Sequence, residues 1–177
     1  MSDERHQKIQ YFLKRMSFSA FHTRYSNYYY DQRKSLDIRY RRKITRNWWN
    51  NEKNFFSLYI SELVLVELQR GNYPQKEKVI RLVKDVSILP IVSEIEDIVR
   101  EYLKNFLMPR IDMGDAFHLA YASFFKIDYL LTWNCNHLAN VNKKRHIEAI
   151  NRKLKLFVPE IITPLQLFKE TGDENER

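Results

Sequence analysis

The stretch Leu58-Tyr59-Ile60-Ser61-Glu62-Leu63-Val64-Leu65-Val66-Glu67 changes period partway along. Its first part, with Phe56 and Ser57 before it, reads as a short apolar strand over residues 56–60. From Ser61 the pattern is helical. Ser61 is a cap candidate, and Leu63, Val64, Val66 and Glu67 fall within two turns. A strand that passes straight into a helix is the unit of a parallel sheet, and the chain repeats it. Val79, Leu82, Val83 and Val86 come after the stop signal Gly71-Asn72-Tyr73-Pro74 at helical spacing. Residues 88–92 are the next strand. Ser93 and Glu96 form a capping box for an amphipathic helix bearing Ile95, Ile98, Val99, Tyr102, Leu103 and Phe106. Met108-Pro109-Arg110 ends that helix. Asp112 caps another that runs to about Phe125, and residues 128–133 are the clearest strand. A basic amphipathic helix over residues 143–156 turns Ile147, Ile150 and Leu154 inward. A short strand at 161–163 and a helix opening on Pro164 close the pattern. The expected class is α/β, with a mainly parallel central sheet flanked by helices.

The first 55 residues are less regular in pattern. Residues 9–13 and 18–21 are both strand candidates. Tyr28, Tyr29 and Tyr30 stand in a row, and Arg39, Arg41, Arg42, Lys43 and Arg46 precede Trp48-Trp49. Core or dimer packing is the plainer reading of these aromatics; stacking on bases is the other. Residues 1–170 are expected to form one domain, with 1–35 irregular and 171–177 a polar tail.

Composition supports a folded chain. Its 177 residues suffice for one core, and 44% hydrophobic with 14% aromatic content argues against disorder. Lys and Arg number 30 against 22 acids, a net charge of +8, and a surface of that sign favours polyanions such as RNA. Solubility alone also explains a basic surface. The one cysteine, Cys135, forms no intrachain disulfide and suits a reducing cytosol, so a cytoplasmic location is expected. No apolar run approaches the ~20 residues of a membrane span. Residues 1–15 are charged and do not read as a secretory signal.

Three residues invite a chemical reading. Asn134 sits where the 128–133 strand ends, and sites of parallel sheets form at such ends. Asp115 falls in the first turn of its helix, on one face with His118, Leu119 and Ala122. Glu67 interrupts an apolar helix, where a carboxylate needs a cation or donor. Oxygen-only ligands of this kind select Mg²⁺ or Mn²⁺. Each alone has a plainer reading: a solvated helix residue for Glu67, a second helix cap for Asp115, a turn residue for Asn134. His118 and His137 read first as structural hydrogen-bonders.

Their order and spacing resemble the PIN-domain nucleases, which include the VapC-like toxin ribonucleases. One bacterial subfamily carries Ile-Ser-x-x-Val-x-x-Glu, Asp-Ala-x-His-x-Ala and Leu-Thr-Trp-Asn-x-x-His-Leu-Ala-Asn. This chain has Ile60 to Glu67, Asp115 to Ala120 and Leu131 to Asn140 in the same order, and Ile161-Ile162-Thr163-Pro164 is similar to the closing segment. The resemblance covers residues 44–168. It implies a PIN-like three-layer fold and a metal-dependent endoribonuclease of a toxin–antitoxin system. Glu67, Asp115 and Asn134 would be its catalytic and metal residues, with Mg²⁺ or Mn²⁺ as cofactor. RNA, single-stranded or structured, would be the substrate, a cognate antitoxin protein the partner, and a homodimer the assembly.

The departure lies at the N-terminus, where PIN domains place an acid after their first strand. Counting back from the 44–49 helix end puts that position at Phe21-His22-Thr23. A second register uses Tyr11-Phe12-Leu13 and puts Lys14 there. Neither supplies a carboxylate, and Asp31 and Asp37 lie farther on. A catalytically inactive PIN-like module that binds RNA or protein is therefore the competing expectation.

Overall fold

A computed structural model describes residues 8–11, 28–70, 76–108, 113–133 and 141–168. It is a mixed α/β structure. Five strands form one sheet: β1 Lys8–Tyr11, β2 Ser57–Ser61, β3 Ser87–Leu89, β4 Tyr129–Leu131 and β5 Glu160–Ile162. Their order is β3-β2-β1-β4-β5, and every neighbouring pair is parallel. The helices are α1 Tyr28–Asn51, α2 Glu62–Arg70, α3 Lys76–Leu82, α4 Glu94–Lys104, α5 Met113–Phe124 and α6 Val141–Lys153. Lys53–Phe55 and Pro164–Leu167 are single 3₁₀ turns. Among the described residues no helix is long and apolar enough to cross a membrane.

Strand alternation separates two cores. Leu58, Ile60, Tyr129, Leu131 and Ile162 pack with Ile44 and Trp48 of α1, Val64 and Leu68 of α2, and Val79 of α3. Their neighbours Tyr59, Leu130 and Ile161 pack instead with Ile95, Ile98 and Tyr102 of α4, Leu119 of α5 and Ile147 of α6. Successive residues of a strand point to opposite faces, so each apolar pair splits between the cores. Chirality assigns the helices. The chain runs outward from β1 through β2 to β3, then returns across β1 to β4 and β5. Right-handed crossovers in opposite directions place their helices on opposite faces. Each fully buried aliphatic side chain contributes about 1.5–3 kcal/mol, so the two cores carry most of the stability.

The helices α4, α5 and α6 end alike. The residues just beyond their caps, Phe106, Lys126 and Lys155, have φ of 54°, 53° and 56°. The next N–H in each case turns back to a carbonyl five residues earlier: Leu107 to Tyr102, Ile127 to Ala122, Leu156 to Asn151. This is the Schellman stop, where glycine is usual because a Cβ is strained in the left-handed region. The residue after each stop is aliphatic and sits in or against the first core. Burial of Leu107, Ile127 and Leu156 thus holds a non-glycine residue left-handed three times.

Some details differ from the sequence reading. Within the stretch read as irregular, residues 8–11 are the central strand and residues 28–35 open α1. The second strand candidate, 18–21, lies outside the described residues, as do the 71–74 stop and Asp112. Ser61 does not cap α2: it is the last residue of β2, and its buried hydroxyl has no hydrogen-bond partner among the described residues. The Ser93–Glu96 box does not form, because Ser93 is itself helical and its hydroxyl bonds Glu94. Phe106 and Leu82 point outward, one on the left-handed stop and the other at the end of α3.

A buried polar cluster joins the three helices of the first core. The Tyr102 hydroxyl donates to Asn151 Oδ1 at 2.6 Å and lies 3.2 Å from Ser123 Oγ. Asn151 Nδ2 donates to Ser123 Oγ and to the Phe157 carbonyl, both at 2.8 Å. Burial pushes the Tyr102 phenol up to about 12, although both hydrogen bonds pull the other way.

Candidate functional site

The direction of chain travel reverses between β1 and β4, and the crevice outside the carboxyl ends of such a strand pair is where open α/β sheets bind ligands. Tyr11 is paired with Leu131, so the two strands reach that edge together. Beyond β4 the chain continues into Thr132, fully buried, and then Trp133.

Helix α1 fixes that end of β4. Trp133 donates its indole N–H to Thr45 Oγ1 at 3.0 Å. The Arg41 guanidinium lies 5.5 Å over the indole ring and donates Nη1 to the Trp133 carbonyl at 3.3 Å. Asp37, one turn earlier, holds the other side of Arg41 at 2.8 Å. A cation over an indole contributes about 0.5–2 kcal/mol, depending on desolvation. Trp48 is fully buried, so the line Arg41, Thr45, Trp48 is the packed side of the helix. Since Arg41 is level with the end of β4, the first turns of α1 project past the sheet. From Tyr28 to Arg41 that overhang is roughly 20 Å at 1.5 Å per residue.

Asp115 enters from the other side of the sheet. The short link between α5 and β4 ties the end of α5 to the start of the strand. Ala116 and Leu119 pack in one core with Leu130, so α5 runs back along the sheet. Its first turn, which holds Asp115, therefore lies toward the carboxyl ends. Asp115 is 5% exposed. A carboxylate in the first turn of a helix is favoured by the exposed N–H groups and the positive end of the helix dipole.

Glu67 belongs to α2, which comes after the carboxyl end of β2, but its side chain lies outside the described residues, as do Asn134 and His137. His118 is fully buried in the middle of α5. Among the described residues, no three His, Cys, Asp or Glu side chains gather closely enough to hold a metal ion. Asp115 is one oxygen donor suited to Mg²⁺ or Mn²⁺, and Mg²⁺ needs few protein ligands because it keeps most of its water.

Two residues at this edge do not stand out in the sequence. Arg41 reads there as one member of a basic run, although its spacing of seven from Trp48 marks it as facing inward. Asp37 lies far along the chain from the first strand, yet it reaches the edge through Arg41, which neutralises it. Of the two registers offered for the first strand, the described strand agrees with the second. With β1 at residues 8–11, the positions that follow it in sequence are Phe12, Leu13 and Lys14, while His22 lies outside the described residues.

Compared with models of known protein families, with curated proteins and with solved structures, the chain matches none.

Proposed function

We propose that this chain has a PIN-like three-layer fold and is a metal-dependent endoribonuclease of the VapC toxin type. One observation carries the reading: a buried carboxylate, Asp115, stands in the first turn of α5, the helix that leads into β4, toward the carboxyl ends of the strands. The order of Glu67, Asp115 and Asn134 along the chain supports it. In this reading those three residues hold Mg²⁺ or Mn²⁺. A divalent ion there would supply Lewis acidity at a phosphate and lower the pKa of water. Asp115, held by its helix, sets one oxygen in place. Arg41, paired with Asp37 and bonded to the Trp133 carbonyl, holds the end of β4 in place. The chain would work in the cytoplasm on RNA, as a homodimer, with a cognate antitoxin protein restraining it.

A second reading, a PIN-like module that binds RNA or protein without cutting, is favoured by the lack of any carboxylate at Phe12, Leu13 or Lys14 after β1. Single-turnover cleavage of labelled single-stranded RNA separates the two. The nuclease reading expects cleavage with Mn²⁺ or Mg²⁺, none with EDTA, and none from Asp115→Ala. Wild-type protein that binds RNA but leaves it intact with either metal would establish the second reading. Cleavage that survives Asp115→Ala would remove Asp115 from the chemistry and the proposed metal site with it.

A further inference from the structure

The basic run of α1 is arranged, and its arrangement points to a ligand. At about 100° per residue, Arg39, Lys43 and Arg46 fall within roughly 60° of arc, centred roughly 170° from Trp48. All three are exposed, on the side of the helix turned away from the core. Among the described residues none of the three makes an ion pair; the carboxylate of Asp37 is taken by Arg41 on the packed side. Arg42, half-buried, lies beside them. The ridge is about 10 Å long and rises from Arg46 to Arg39 toward the strand ends. Tyr40, 52% exposed, flanks it about a quarter-turn away, with Leu36 beyond at 63%. Neither side chain is sheltered, although both are large and apolar.

We infer that this ridge is a docking track for single-stranded RNA, with Arg39, Lys43 and Arg46 on successive phosphates and Tyr40 stacked on a base. An uncompensated line of cations draws a polyanion by releasing its counterions. An aromatic face beside the line adds a contact that any unpaired base can make and that an acidic peptide lacks. Where the ridge leads rests on the nuclease reading, but its binding of RNA does not, and the test is run without metal.

Fluorescence anisotropy with a short labelled oligouridylate in EDTA, across a salt series, provides that test. The triple variant Arg39→Ala, Lys43→Ala, Arg46→Ala should bind at least about tenfold more weakly. Its log K against log salt should be shallower by about 2, at ~0.7 for each lost phosphate contact on a single strand. A control triple, Lys78→Ala, Lys84→Ala and Lys126→Ala, removes the same charge from exposed sites elsewhere and should change binding little. Tyr40→Ala should weaken binding several-fold without altering the slope, and Tyr40→Phe should restore it. Equal losses in the two triples would overturn the inference by reducing the ridge to net charge. So would an oligoglutamate that competes as well as RNA of equal charge while Tyr40→Ala has no effect; the occupant would then be an acidic protein segment. Circular dichroism melts of each variant separate loss of the track from loss of the fold.

Discussion

Replacing Lys126 and Lys155 with glycine should stabilise this protein, against the usual rule that glycine weakens a fold. Both residues are exposed and left-handed, with φ of 53° and 56°. A Cβ in that region costs roughly 1–2 kcal/mol. Glycine removes the strain but adds about 0.4–1 kcal/mol of unfolded-chain entropy. The net gain is about 0.5–1 kcal/mol per site. The two stops end different helices and share no hydrogen bond, so the gains should add to about 1–2 kcal/mol. For a chain of this size that raises Tm by roughly 2–8 °C. Differential scanning calorimetry of the single and double variants reads it directly. Lys126→Ala and Lys155→Ala are the controls, since alanine keeps the Cβ and should leave Tm nearly unchanged. If alanine stabilises as much as glycine, the gain comes from losing a lysine, and the strain argument fails. If glycine lowers Tm, neither stop is left-handed in solution.

Two further outcomes are expected. Tyr102→Phe should cost about 1–3 kcal/mol in urea denaturation, because it strips a buried donor from Asn151. The Tyr102 phenol is raised from 10.0 to about 12, so its contribution is full below pH 10 and is lost as pH rises to about 12. That window is worth roughly 3 kcal/mol in wild type at about 1.4 kcal/mol per pH unit, and the alkaline loss should be smaller in Tyr102→Phe; equal alkaline curves would show that another group dominates. Lys14→Asp should strengthen Mn²⁺ binding in calorimetry, by adding negative charge after β1, whereas His22→Asp should not. Improvement by His22→Asp alone would restore the other register.

Most of the architecture is legible along the chain from residue 56 onward. Strand and helix there differ in apolar period, and the period is local information. Ile60 beside Tyr59, and Leu131 beside Leu130, already carry the alternation that divides two cores. Asp115 is legible because an acid in a helix first turn is also a local pattern. The first 55 residues are harder. The central strand is four residues long, and its identity comes from being paired on both sides, by β2 and by β4. No property of Lys8–Tyr11 alone announces that.

The sequence by itself determined the α/β class, the positions of the later elements, the basic charge of α1 and the chemical type of the candidate ligands. These come from spacing and composition. Tertiary structure alone decided the strand order, and with it the switch point between β1 and β4, because pairing joins residues more than a hundred positions apart. It decided that Arg41 turns in to Trp133 while Arg39, Lys43 and Arg46 turn out, because burial of Trp48 fixes the rotation of the helix. It also decided that Phe106, Lys126 and Lys155 are left-handed. No local preference asks for that at a phenylalanine or a lysine; the buried residue after each of them does.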